Sequence, residues 1–304
     1  MPRVLLTRRI PSSVLTTLQT QHTVDLYAGD GAIPREELLR RVADKDAVIC
    51  VLTDKIDSEV LDAAPALKVV ANIAVGYENI DVPAARDRGV IVTNTPDVLT
   101  EAVAEFTWGL ILGIARRIAE GDRLTRAGGW KGWALDFMLG TELRGKQLGI
   151  VGAGRIGRAV AAKAPVFGMH VVFAKHEMSI DELLVTSDVI SLHAPSTPET
   201  RHMINRKTLM RMKRSALLIN TARGSLVDEE ALAWALDERL IAGAALDVYE
   251  NEPVIQPALF KHEHVLLAPH LGSATRETRT AMAELAVRNV LAILGGADPL
   301  TPVS

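Results

Sequence analysis

At 304 residues, 48% of them hydrophobic, the chain is long enough for two domains with cores of their own and reads as an ordinary soluble globular protein rather than a disordered one. Its 34 Lys and Arg nearly balance 37 Asp and Glu for a net charge of −3, with no basic run, so nothing marks a nucleic-acid or membrane partner. One cysteine excludes an internal disulfide framework, no apolar run is long enough to span a bilayer, and no secretory leader is legible at the start, so a cytoplasmic location is expected.

Short β-branched runs at 4–7, 24–27, 47–52, 69–74 and 90–93 read as strands with helical patterns between them. Such alternation implies a parallel sheet covered on both faces. Cys50 falls inside the third run, where it reads as a buried thiol rather than a nucleophile or metal ligand. Residues 100–117 form a long, mostly apolar helix with Thr100 as its N-cap, taken as the first passage from one domain to the other. Residues 121–145 carry glycines with Trp130 and Trp133. They read as an irregular arm that packs on a second subunit, which predicts a homodimer. Strands resume at 147–151, 170–174, 189–193, 216–220, 244–248 and 265–268, and a last amphipathic helix over 274–294 returns to the first domain. The expected organisation is α/β with two doubly wound parallel sheets: 1–98 and 275–304 for the substrate, 99–274 for a dinucleotide, and a cleft between them.

One segment breaks this pattern. Only four residues, Lys175, His176, Glu177 and Met178, separate the strand ending at Ala174 from the helix beginning near Ser179, whereas a parallel crossover needs a dozen or more. Either the sheet lacks one βα unit or residues are absent from the numbering; the second explanation is preferred.

The strand at 147–151 ends in G-x-G-x-x-G, at Gly152, Gly154 and Gly157, and opens straight into a helical pattern. The first glycine permits the tight turn, the second lets the backbone approach a pyrophosphate, and the third lets helix pack on strand. The helix N-terminus offers its N–H groups to the anion. Downstream, Arg223, Glu252 and His270 follow three successive strands, at the edge where open α/β sheets hold ligands. Each has an ordinary reading alone, as a helix cap, a turn carboxylate or a proline-turn imidazole. Together with the glycine loop they supply what hydride transfer to a 2-oxo acid needs. An arginine can grip a carboxylate through two parallel bonds and polarise the neighbouring carbonyl. An imidazole, which titrates near neutrality, can protonate the forming alkoxide, and a carboxylate bonded to it favours its charged form and fixes its orientation.

Several motifs in order carry a resemblance: Ala74-Val-Gly-Tyr-Glu-Asn-Ile-Asp81, Asn94-Thr-Pro-Asp-Val-Leu-Thr-Glu-Ala-Val-Ala-Glu105, the glycine loop, Ser191-Leu-His-Ala-Pro-Ser-Thr-Pro-Glu-Thr200, Asn220-Thr-Ala-Arg-Gly-Ser-Leu-Val-Asp228 and Pro269-His-Leu-Gly-Ser273. Over nearly its whole length the chain resembles the D-isomer-specific 2-hydroxyacid dehydrogenases, most of all their glyoxylate/hydroxypyruvate reductase branch. The resemblance implies a Rossmann domain inserted into a flavodoxin-like substrate domain and a catalytic set of Arg223, Glu252 and His270, with His270 as general acid/base. It implies that the amides of Val75 and Gly76, with Arg223, hold the substrate carboxylate. Cofactor contacts would come from Thr100, Gly152, Gly154, Arg155, Ile156, Gly157, Pro195, Thr221, Ala222, Arg223, Asp247, His270 and Gly272. Asp247 also has a plain reading as a strand-end turn residue, and His193 and His264 read as structural. In the family, the residues after the second strand of the nucleotide domain select the cofactor; here no acidic residue stands at Phe173 or Ala174, and Lys175 and His176 follow, a lean towards NADP(H) over NAD(H). The expected reaction is reduction of a small 2-oxo acid of the glyoxylate or hydroxypyruvate type to the D-2-hydroxy acid. The alternatives are a 2-ketogluconate reductase, a phosphoglycerate dehydrogenase, a non-catalytic NAD(H)-sensing corepressor, and an enzyme inactivated by a true deletion after Ala174.

Overall fold

The computed structural model describes residues 1–174 and 177–303. The chain divides into two compact units, Met1–Leu99 with Thr275–Ser304, and Thr100–Ala274.

The first unit is built on β1 (Arg3–Leu6), β2 (Thr23–Leu26), β3 (Ala47–Cys50), β4 (Val69–Asn72) and β5 (Ile91–Thr93), all parallel in the order β2-β1-β3-β4-β5. That is the doubly wound order of flavodoxin-like sheets. β3 and β4 are buried at every position, which is why they read as continuous apolar runs, whereas the edge strand β2 is part-exposed throughout. The strand period of two sorts side chains to opposite faces. Leu5, Val48 and Val70 join one core cluster, while Val4, Leu6, Ile49 and Ala71 join the other, closed by Ala283, Ala286, Val287 and Val290 of the C-terminal helix Arg276–Leu294. The short helices α1 (Ser12–Gln19), α2 (Arg35–Val42), α3 (Ser58–Asp62) and α4 (Val82–Asp87) join the strands; Asp57 and Asp81 cap the last two with their side chains. Cys50 is fully buried, and burial drives its thiol well above the usual range, as a structural thiol requires.

The second unit opens with α5 (Thr100–Ala115) and α6 (Ile118–Arg126). Thr100 is the first residue of α5 itself, so its expected N-cap role is corrected. The segment expected to be irregular from 121 is helical to Arg126. Arg117, in the left-handed region at φ 54°, turns the chain out of α5, and its guanidinium pairs with Glu120 at 2.5 Å in the first turn of α6. Six parallel strands follow, β6 (Gln147–Val151), β7 (His170–Phe173), β8 (Val189–Leu192), β9 (Leu217–Asn220), β10 (Gly243–Leu246) and β11 (Val265–Leu267), ordered β11-β10-β9-β8-β6-β7. Between them run α7 (Arg155–Lys163), α8 (Ile180–Thr186), α9 (Arg206–Leu209) and α10 (Glu229–Asp237). Strand order reverses between β6 and β8, the point at which open sheets of this kind bind ligands.

At the short segment, Ala174 bridges to Met178, the Glu177 amide donates to the Phe173 carbonyl at 3.1 Å, and Ser179 caps α8 at once. In the chain as it stands, the described sheet ends at β7 and goes without a further βα unit. Lys175 and His176, which carried part of the expectation about the cofactor, lie outside the described residues.

Candidate active site

The glycine loop has the shape that its spacing predicts. Gly152 sits at φ +107°, and a Cβ there would stand 2.5 Å from the His193 carbonyl carbon at the end of β8, across the switch point. Only glycine fits both the backbone conformation and that approach. A Cβ on Gly157 would meet the Gly152 carbonyl oxygen at 2.0 Å, so helix and strand pack through that position. A Cβ on Gly154 would meet nothing within 4 Å, and no side chain caps the start of α7, where Arg155 and Ile156 follow. The middle glycine therefore borders open space in front of a helix N-terminus. This is the cradle a pyrophosphate requires, so the residues present fit a dinucleotide.

The other expected contacts follow the same edge of the sheet. Pro195 follows β8, and its carbonyl accepts the Thr200 hydroxyl at 2.7 Å. Thr221, after β9, shares a hydrogen bond with Thr107 of α5 at 3.0 Å, and the Ala222 amide donates to the Asn220 side chain at 3.1 Å. His193, next to Gly152, has its ring against Ser191 at 2.8 Å, and burial pushes its pKa down to about 4, which keeps it neutral and structural.

Arg223, Glu252 and His270 follow β9, β10 and β11, three adjacent strands whose ends are in register through Asn220, Leu246 and Leu267. Nδ1 of His270 stands 2.9 Å from Oε2 of Glu252. A carboxylate only accepts, so this bond assigns the Nδ1 proton to the ring and leaves Nε2 for other chemistry. The other Glu252 oxygen accepts the Tyr249 amide at 3.1 Å. Burial works to raise the Glu252 carboxyl, but the bond and charge of His270, the Tyr249 amide and the charge of Arg223 outweigh it, and the group is held below the usual carboxylate range. The Arg223 loop rests on the same segment: Gly224 packs so closely that a Cβ would fall 1.8 Å from the Tyr249 carbonyl carbon.

His270 adopts a left-handed backbone, φ 55°, which costs a residue with a Cβ roughly 1 kcal/mol and is held by its surroundings. Asp247 does the holding. Its carbonyl accepts the His270 amide at 3.0 Å, and its carboxylate oxygens accept the amides of Leu271 at 2.6 Å and Gly272 at 2.8 Å. The side chain is 1% exposed, and burial raises its pKa against those bonds. In this structure Asp247 is committed to the His270–Gly272 turn. The Tyr249 hydroxyl, raised by burial, adds a tie from β10 to β11 by donating to the Ala268 carbonyl at 2.8 Å.

In the first unit, Val75 and Gly76 follow β4 with both carbonyls tied back, Val75 to the Asn94 side chain and Gly76 to the Asn72 side chain, each at 2.8 Å. Asn72 itself is fully buried and also donates to Asn79 at 3.2 Å. The Asn94 tie fixes the peptide that carries the Gly76 amide, and the Ala74 carbonyl, which accepts the Thr95 amide at 2.8 Å, fixes the peptide that carries the Val75 amide. Spacing alone did not single out Asn72 or Asn79; the available signal was an asparagine ending an otherwise apolar strand.

Residues 108–272 match the family model for the D-isomer specific 2-hydroxyacid dehydrogenase NAD binding domain. A glyoxylate reductase of Thermococcus kodakarensis is 48% identical over 320 aligned positions, covering 100% of this chain and 96% of the relative. This chain belongs to the D-isomer specific 2-hydroxyacid dehydrogenases. As a member of that family it is an oxidoreductase that uses a nicotinamide dinucleotide. The alignment is longer than the 304 residues, so part of the relative faces no residue of this dehydrogenase. Among solved structures, the TT0316 protein from Thermus thermophilus superposes with a TM-score of 0.95 at 46% identity, covering 99% of this chain and 100% of its own. An NADPH-dependent glyoxylate/hydroxypyruvate reductase from Sinorhizobium meliloti, in complex with NADP and malonate, gives 0.87 at 34% identity, with 100% and 97% covered. Among the described residues, no helix is long and apolar enough to cross a membrane.

Proposed function

We propose that this protein reduces glyoxylate, hydroxypyruvate or a similarly small 2-oxo acid to the D-2-hydroxy acid, with His270 as the proton donor. The observation that carries the reading is the His270–Glu252 pair at 2.9 Å, on adjacent strand ends beside the Arg223 loop. Arg223 grips the substrate carboxylate and polarises the carbonyl next to it. The amides of Val75 and Gly76 are a second hold on the carboxylate, the first oriented through the Ala74 carbonyl by Thr95 and the second through the Val75 carbonyl by Asn94. Nε2 of His270 carries the proton that the new alkoxide needs, and Glu252 stabilises the imidazolium until it is delivered. The bound nicotinamide supplies the hydride.

For the cofactor we favour NADPH, because no acidic residue stands at Phe173 or Ala174. One observation favours NADH instead: the Glu177 carboxylate folds back to the Phe173 amide at 3.0 Å, bringing an acid to the end of β7. The test is steady-state reduction of glyoxylate and hydroxypyruvate, with 2-ketogluconate alongside, each with NADPH and then NADH. Turnover of the two small acids, faster with NADPH, is expected. A preference for 2-ketogluconate, or silence with every pair, contradicts the reading.

A further inference from the structure

Glu229, the first residue of α10, is 8% exposed, and among the described residues no cation pairs with it. Its two carboxylate oxygens accept main-chain N–H groups of one loop, from Glu250 at 2.7 Å and from Gln256 at 3.1 Å. These are the two ends of the turn 250–256, which carries Glu252. A carboxylate is the side chain suited to this task, because it offers two acceptors and no donor. Glutamine in its place would turn an NH2 group towards one of the two amides. The N-terminus of α10 offsets part of the cost of burying the charge.

The same segment is the common support of the site. Gly224, next to Arg223, packs on the Tyr249–Glu250 backbone; the Glu250 side chain is bonded by His202 at 2.8 Å and Arg201 at 2.5 Å; and Glu252 reaches His270. We propose that Glu229 is a positioning residue for proton transfer, a clamp that closes the 250–256 turn in the register where Glu252 meets His270. It touches neither substrate nor cofactor. The inference rests on the catalytic roles given above to Glu252 and His270. The charged groups facing the turn and Glu252 are Arg223 after β9, Asp247 at the end of β10, His270 after β11, and Arg201 with His202 after β8. Glu229→Gln also removes the charge of Glu229 itself, whereas Glu229→Asp keeps it, so a change in pH profile shared by both substitutions reports the clamp.

The experiment is a double-mutant cycle of Glu229→Gln and Glu252→Gln, read as kcat against pH for 2-oxo acid reduction, with cofactor binding measured by calorimetry. Glu229→Gln is expected to lower kcat roughly 10- to 100-fold, the scale of a small misplacement of a catalytic group, with cofactor affinity unchanged. It should move the alkaline limb towards acid, as Glu252→Gln does, and add little once Glu252 is already Gln. An unmoved limb, or a loss that adds in full to that of Glu252→Gln, overturns the clamp alone. An unmoved limb in Glu252→Gln overturns the pairing with His270 and the clamp with it. Glu229→Asp, which keeps the charge and both oxygens one methylene shorter, is read in the same assay against the same outcomes, and it carries the test alone if Gln at this position prevents folding; a limb that moves in Gln but not in Asp is the lost charge and overturns the clamp.

Discussion

Glu252 and His270 meet at 2.9 Å because each lies just past the end of one of two neighbouring strands, and the carboxylate they share is held ionised by the imidazole, by the Tyr249 amide and by Arg223. The sign of the resulting pH dependence follows directly. Removing the negative charge that faces His270 disfavours the imidazolium, which reduction needs if His270 is the proton donor, as proposed. In Glu252→Gln the alkaline limb of the reduction profile should therefore move towards acid by about one pH unit, measured as kcat against pH. An unmoved limb would deny the coupling. These residues were legible in the sequence because each stands beside a turn signal at a strand end. Glu229, Asn72 and Asp247's hold on His270 were less so, because they act on main-chain groups. Glu229 bonds amides 21 and 27 positions away, a relation that no spacing within a motif displays.

Among the elements, the glycine loop yields the sharpest test, since its three glycines have different reasons to be glycine. Gly157→Ala should destabilise the protein, because the new methyl has no room against the Gly152 carbonyl. Gly154→Ala has room and an ordinary extended backbone at φ −73°, so its melting temperature should fall little, an N-cap change of about 1 kcal/mol or less. Its methyl would, however, stand where the pyrophosphate approaches, and calorimetry should record weaker binding of the dinucleotide. Unchanged affinity would remove Gly154 from the cofactor site. Both sheets were readable from apolar runs separated by helical patterns. Their strands end one or two residues earlier than the runs do where the chain turns away to build loops; Val51, for instance, donates to Asp54 at 3.0 Å rather than to a neighbouring strand. α6 is hard to read from sequence because it is only nine residues long, holds a glycine at 121, offers only Ile118, Ala119 and Leu124 as apolar positions, and buries none of them.

For the whole molecule, the arm beyond α6 is the feature that asks for a partner. Trp133, Leu135 and Leu139 are 82%, 81% and 67% exposed, a concentration of apolar surface that a soluble monomer rarely shows. We read it as the contact between two copies of the chain. Light scattering should then give twice the 32.9 kDa chain mass, and Trp133→Ser with Leu135→Ser should reduce it; a monomer in the unaltered protein would refute this. Among the described residues the sheet ends at β7, beyond β6 from β9, β10 and β11, so the strand ends that precede Arg223, Glu252 and His270 are complete. Catalysis should therefore survive the shortfall. The most direct test follows glyoxylate reduction at the nicotinamide absorbance for the unaltered protein and for His270→Ala, with cofactor affinity measured in parallel. Turnover is expected in the first, a loss of roughly 100-fold or more in the second, and equal cofactor binding in both. Equal turnover in both proteins would remove His270 from its role, and none in the unaltered one would refute the proposed reaction.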